Sequence, residues 1–430
     1  MHRAAGGRFR ASELKPNRMS NSSQEPRKYR IFISTGEVSG DLQGALLVKA
    51  LRQQAKQLHL ELEILALGGT QMAESGAILL ADTSAIGSIG LFESLPYIVS
   101  TLAIQQRVKH YLRQHPPDLV VMIDYFGPNL GVGQFVRQYL PQVPTVYYIA
   151  PQEWVWSVSQ RNTRRILEIT DRLLAIFPAE AAYYQERGGN VTWVGHPLID
   201  RLQTAPDRTM ARATLGIAPD QLAVALIPAS RQQEIKYILP VMLAAAQQLQ
   251  TQLPQIHFWI PLSLERYRQP LEQAIRRFGL QATLVSGVAG QSQLVIAAAD
   301  LVIAKSGTVN LETALLDVPQ VVMYRLNPLT AWLAEHLLKF SAPFVSPPNL
   351  VLMQPLVPEF LQYQATPDAI AQAALELLQS PEKRDQMRLG YQQMRQQLGE
   401  PGVCERAAAA ILQLLPSLQP AESRQRLTPG

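Results

Sequence analysis

The chain has 430 residues, 47% hydrophobic and 17% charged, which describes a globular protein of about two ordinary domains and excludes a disordered one. Its net charge of +5 makes no case for a nucleic-acid partner: residues 1–30 hold eight Lys/Arg against Glu13 and Glu25, and subtracting that +6 leaves −1 for the body. The single cysteine, Cys404, excludes an intrachain disulfide and gives no thiolate metal site, and no apolar run reaches the roughly 18–20 residues of a membrane span.

Residues 1–28 read as a disordered basic tail without the apolar core of a secretory signal, and Met19 offers a second translation start. From Tyr29 the chain alternates short apolar strands with longer helical patterns, the signature of βαβ units around a parallel sheet. Strands are predicted at Arg30–Thr35, Glu61–Leu67, Leu119–Ile123, Thr145–Ile149, Arg172–Ala175 and Thr192–Val194. Helices are predicted at Leu42–Gln54, Ile98–Gln114, Val132–Gln138, Arg161–Ile169 and Ala179–Arg187. The alternation pauses at Gly195-His196-Pro197-Leu198 and resumes with strands at Leu222–Pro228, Phe258–Pro261, Thr283–Val285, Leu301–Ala304 and Gln320–Tyr324. The expected architecture is α/β, with two Rossmann-like halves over 29–195 and 196–366 facing a cleft. Helices over 367–416 pack across, and a disordered end follows from 417 to 430.

Several strand ends carry polar turns. Ser34-Thr35-Gly36-Glu37-Val38-Ser39-Gly40-Asp41 follows the first strand, where Gly36 and Gly40 permit a tight turn at the cleft, but the spacing is not that of a dinucleotide fingerprint. Asp124 ends the strand Leu119–Ile123, the place for a general base; capping of the following turn is the ordinary alternative. Ala150-Pro151-Gln152-Glu153-Trp154-Val155-Trp156 puts two tryptophans in one loop, for core packing or partial exposure. Leu91-Phe92-Glu93-Ser94-Leu95-Pro96-Tyr97-Ile98-Val99 leads into a helix carrying Arg107, Lys109, His110 and Arg113. That pattern suits an interfacial membrane contact or a greasy substrate as well as a buried helix.

In the second half, Ala229-Ser230-Arg231-Gln232-Gln233-Glu234 follows a buried strand, and the Arg231 fork can bind two phosphate oxygens or pair with Glu234. Lys305-Ser306-Gly307-Thr308 ends another strand and opens a helix. Backbone N–H groups and the helix dipole converge there on a potential phosphate site, and the alternative is a plain turn with Thr308 as N-cap.

Taken in order, Gly-Glu-Val-Ser-Gly-Asp at 36–41, Gly90-x-x-Glu93, Ile123-Asp124, Pro151 with Trp154-x-Trp156, Gly195-His196-Pro197-Leu198, Ser230-Arg231-x-x-Glu234, Ser306-Gly307-Thr308, Tyr324-Arg325 and Pro348-Asn349-Leu350 resemble the lipid-A-disaccharide synthase family. The resemblance spans roughly Arg30 to Gln362. It implies a GT-B glycosyltransferase that needs no metal or other cofactor and joins UDP-2,3-diacylglucosamine to 2,3-diacylglucosamine 1-phosphate, releasing UDP. It implies Asp124 as base and Arg231 beside the donor diphosphate. Ser230, Ser306, Gly307 and Thr308 then hold the phosphates and Glu312 the ribose, with Asn349, Glu359 and Gln362 on the donor side. Gly36, Ser39, Asp41, Glu93 and Asn129 fall on the acceptor side.

Because both substrates carry acyl chains, the family reading implies a cytoplasmic protein held peripherally at the inner membrane face, with Phe92, Leu95, Ile98 and Val99 as the contact. The chain departs from the family at Phe126-Gly127-Pro128-Asn129, at Ala150 to Trp156, at Ala229 and at Asn310. These departures leave open a different lipid acceptor, or a catalytically idle UDP-sugar or lipid-binding protein.

Overall fold

The computed structural model describes residues 28–36, 38–83, 95–156, 160–228, 232–287, 290–327 and 344–415. Two separate sheets organise them. β1 (Lys28–Ser34), β2 (Glu61–Gly68), β3 (Ile78–Asp82), β4 (Leu119–Ile123), β5 (Thr145–Tyr148), β6 (Arg172–Ala175) and β7 (Val191–Trp193) lie in the order β3-β2-β1-β4-β5-β6-β7. β8 (Ala223–Ile227), β9 (His257–Pro261), β10 (Ala282–Val285), β11 (Leu301–Lys305), β12 (Gln320–Tyr324) and β13 (Glu359–Leu361) lie in the order β10-β9-β8-β11-β12-β13. Every ladder is parallel. β4 and β8, apolar throughout, are buried at every position, as a strand covered by helices on both faces requires.

This topology decides where a ligand can sit. Each sheet reverses its strand order once, between β1 and β4 and between β8 and β11, and the crevice outside the strand C-termini at such a point is the ligand site of open α/β sheets. Gly36, Asp124 and Ser306-Gly307-Thr308 follow β1, β4 and β11; Ser230 and Arg231, which follow β8 in sequence, lie outside the described residues.

Pro367–Gln379 packs on Leu239–Gln252 in the second half, whereas the final helix, Val403–Leu412, returns to Val38–Gln57 beside the first sheet. Asp200 caps that final helix, its carboxylate accepting the N–H groups of Gly402, Val403 and Cys404 at 2.7, 3.2 and 2.7 Å. Arg406 donates to the Val194 carbonyl at 3.0 and 2.8 Å. The chain ends of the two halves are thereby tied together.

Several expectations are corrected. Lys28, assigned to the tail, pairs with Glu61 in β1 and forms an ion pair with Glu63 at 3.2 Å. β3 and β13 were not predicted. The helix expected from Val132 begins at Phe126, because Pro128 falls in its first turn, where no backbone N–H is needed. Gly133 in that helix allows close packing, since a Cβ there would lie 2.6 Å from Ile169.

Candidate active site at the strand ends

Asp124 and Tyr125 both adopt left-handed backbone, with φ of 49° and 45°. Two adjacent non-glycine residues in that region cost about 1–3 kcal/mol each, so the surroundings must hold the turn. The Asp124 N–H donates to Tyr148 and Ile149 carbonyls at 3.4 and 3.1 Å. Its own carbonyl accepts Asn129 Nδ2 and the Tyr147 hydroxyl, each at 2.8 Å. Burial pushes the Asp124 carboxyl above the ordinary aspartate range, while the Tyr125 backbone N–H pulls the other way. A desolvated carboxylate at a strand end is a stronger proton acceptor than one in water.

Gly36 is buried and a Cβ there would collide with the Tyr125 ring, so glycine brings the turn after β1 against the Asp124 turn. Ser39 is exposed nearby in sequence. Two expected acceptor-side residues have other work. Asp41 is buried and its carboxylate accepts from Gly69, Gln71 and Met72 N–H groups at 2.7, 3.1 and 3.1 Å, capping the short helix Thr70–Glu74. Asn129 is fully buried, with Oδ1 taking Ser34 Oγ at 2.7 Å and Nδ2 serving the Ile123 and Asp124 carbonyls. Both side chains are thus engaged in holding the local backbone. Glu93 and Phe92 lie outside the described residues, as do the side chains of Leu95, Ile98 and Val99.

In the second half, Ser306 and Gly307 do not present bare N–H groups. Ser306 N–H is bonded to the Met323 carbonyl at 2.9 Å, and Asn310 Oδ1 takes Gly307 N–H at 2.8 Å. Ser306 Oγ donates to Val345. Thr308 is helical in backbone and makes no side-chain cap, so its exposed hydroxyl faces outward. Asn310 thus satisfies the Gly307 N–H from within the turn. Glu234 accepts from Lys305 Nζ at 2.6 Å; Ser230 and Arg231 lie outside the described residues.

Glu312 is buried and pairs with Arg201 at 2.8 Å. Burial raises its carboxyl more than Arg201 lowers it. Asn349 is fully buried and engaged with Val357 and Glu359, while Glu359 accepts from Val345, Ser346 and Asn349. These two brace the segment that Ser306 touches. Gln362, left-handed at φ 47°, accepts from Leu326 N–H at 3.4 Å.

Sequence reading missed three participants. Tyr147 was only a strand residue, Arg201 lay in a polar stretch, and Glu180 was part of a helix pattern. Glu180 is buried after β6, accepts from Ile176 and Phe177 N–H groups at 2.8 and 3.3 Å, and is pushed up to about 8 by burial. Phe177 also stacks against Trp154 and His196, at 5.6 and 5.3 Å between ring centroids. Among the described residues no group of three or more His, Cys, Asp or Glu could hold a metal.

Two parallel sheets with polar turns at both reversal points define a GT-B-type α/β protein. An S. aureus MnaA–UDP structure matches at TM-score 0.63 and 15% identity, over 91% of this chain and 98% of that one. UDP-GlcNAc 2-epimerase from Neisseria meningitidis, bound to UDP-GlcNAc, matches at TM-score 0.62 and 13% identity, over 90% and 100%. Such identities carry the fold alone. The family model for Lipid-A-disaccharide synthetase matches residues 31–414. The lipid-A-disaccharide synthase of Gloeothece citriformis is 55% identical over 383 residues, 89% of this chain and 99% of that protein. That of Synechocystis is 55% identical over 385 residues, 89% and 97%. The chain belongs to the lipid-A-disaccharide synthetase family, glycosyltransferases of lipid A biosynthesis.

Proposed function

We propose that the chain transfers 2,3-diacylglucosamine from UDP to the 6-hydroxyl of 2,3-diacylglucosamine 1-phosphate. The observation that carries this reading is the strained, desolvated Asp124 at the reversal point of the first sheet. Asp124 takes the proton of the acceptor hydroxyl, the oxygen forms its bond to the anomeric carbon, and the bond to the diphosphate breaks on the opposite face. UDP leaves with that electron pair, and the configuration inverts. Arg231 offsets the charge developing on the diphosphate, with Ser230, Thr308 and the Ser306-Gly307 turn beside it. Glu312, oriented by Arg201, accepts from the ribose, and Gln362 lies on the donor side. Gly36 and Ser39 face the acceptor.

The substrates' acyl chains call for a peripheral contact with the inner membrane face. No helix among the described residues is long and apolar enough to cross a membrane. The helix Leu95–Gln114 supplies the contact: Leu102 is 54% exposed, and Arg107 and Arg113 are exposed on the same helix. Lys109 is drawn off that surface toward Gly131, so the two arginines meet the head groups. A UDP-release assay tests the activity. Release requires both the diacylated donor and the 1-phosphate acceptor; release with donor alone, or only with another glycolipid, contradicts the proposal.

A further inference from the structure

We infer that Tyr147 is a positioning residue for the reaction, aiming the Asp124 carboxylate by holding its backbone carbonyl together with Ser34 and Asn129. The inference rests on Asp124 being the base. Tyr147 lies in β5, the strand beside β4, and its side chain is fully buried. A phenol hydroxyl is costly to bury unless bonded, and a phenylalanine would fill the same space without that cost. Here the hydroxyl donates to the Asp124 carbonyl at 2.8 Å.

Asn129 reaches the same carbonyl at 2.8 Å, and its amide is fixed by Ser34 Oγ at 2.7 Å. Asn129 and Tyr147, from the first turn of Phe126–Tyr139 and from β5, converge on one oxygen, and Ser34 in β1 braces Asn129 from behind. With the Asp124 N–H bonded to β5 carbonyls on its other side, both peptide groups of a left-handed residue are fixed. Only the side-chain torsions of Asp124 remain to set the direction of its carboxylate. Loss of one clamp lets the turn relax toward ordinary backbone and swings the carboxylate off the acceptor hydroxyl, a displacement to which proton transfer is sensitive.

A double-mutant cycle in the full chain tests this. Tyr147→Phe is expected to lower kcat about tenfold and leave the UDP Kd within about twofold, with the melting temperature checked in parallel. In an Asp124→Asn background, which retains the backbone carbonyl, the same change is expected to have almost no further effect. Ser34→Ala, which releases the Asn129 amide, is the second variant and is expected to follow the same pattern if Tyr147→Phe folds poorly. Full activity in both variants overturns the inference, as does an equal loss in the wild-type and Asp124→Asn backgrounds. Normal activity in Asp124→Asn alone instead removes the base assignment, and this inference with it.

Discussion

The proposed roles of Asp124 and Arg231 predict different losses. Asp124→Asn keeps the shape of the turn and removes the proton acceptor, so kcat is expected to fall about 100-fold. UDP affinity by calorimetry should hold, and near-normal turnover would refute the role. On its proposed role, Arg231→Ala is expected to weaken UDP binding and turnover together, because a cation at the diphosphate acts in both ground and transition states; turnover lost with UDP affinity unchanged would contradict that role. Asp41 behaves differently. Its three N–H bonds predict that Asp41→Ala lowers stability by about 1–3 kcal/mol with little change in turnover per folded molecule. A denaturation curve and an activity assay on the same sample distinguish this from a sugar contact. Sequence made Asp124 legible because a carboxylate at a strand end is conspicuous. It could not reveal that Asp41, Asn129, Asn349 and Glu359 also hold backbone groups: the Asp41 bonds run to a turn about thirty residues away, a pairing no local pattern records.

At the scale of elements, central strands were legible because burial on both faces demands continuous apolar runs, as in β4 and β8. β3 and β13 were not: β3 lies at the sheet edge with Ile78 53% exposed, and β13 has three residues. Glycines and a proline hid the start of the helix Phe126–Tyr139, where Pro128 costs no bond and Gly133 is needed for contact. The final helix is held by Asp200, so Asp200→Ala is expected to cost about 1–2 kcal/mol in stability. Protection of the Gly402, Val403 and Cys404 amides in hydrogen exchange should fall with it; unchanged protection would show that packing alone fixes the helix. For the helix Leu95–Gln114, proposed as the membrane contact, replacing Leu95 and Ile98 with Ser is expected to release the protein from anionic vesicles in flotation while its melting temperature holds. Retention on the vesicles would place the contact elsewhere.

For the molecule as a whole, two buried groups around Phe177 bound the pH range of stability. His196 is pushed down to about 3 by burial from an ordinary 6.5. The unfolded chain therefore takes up a proton that the folded state refuses, and stability is lost as pH falls from about 6.5 toward 3. Glu180 is raised from 4.5 to about 8. The folded state keeps a proton that the unfolded chain has released, so stability falls as pH rises across that interval. Melting temperature against pH should thus decline on both sides of a mildly acidic optimum. Glu180→Gln should flatten the decline toward pH 8; parallel curves for the two proteins would contradict it.

The GT-B architecture was legible because repeated βαβ patterning and strand-end turns occur twice in order, and helices packing across from the C-terminal end were expected with it; what no local pattern records is how the last helix is fixed, by Asp200 and Arg406 reaching across about 200 residues of sequence. The central claim is an inverting transfer between two acylated sugars, and product structure tests it most directly. Pure full-length protein is incubated with UDP-2,3-diacylglucosamine and 2,3-diacylglucosamine 1-phosphate, and the product is analysed by mass spectrometry and anomeric NMR. A β-1′,6-linked disaccharide 1-phosphate formed in equal amount with UDP is the expected result; an α linkage, or unchanged substrates with bound UDP-sugar, would contradict it.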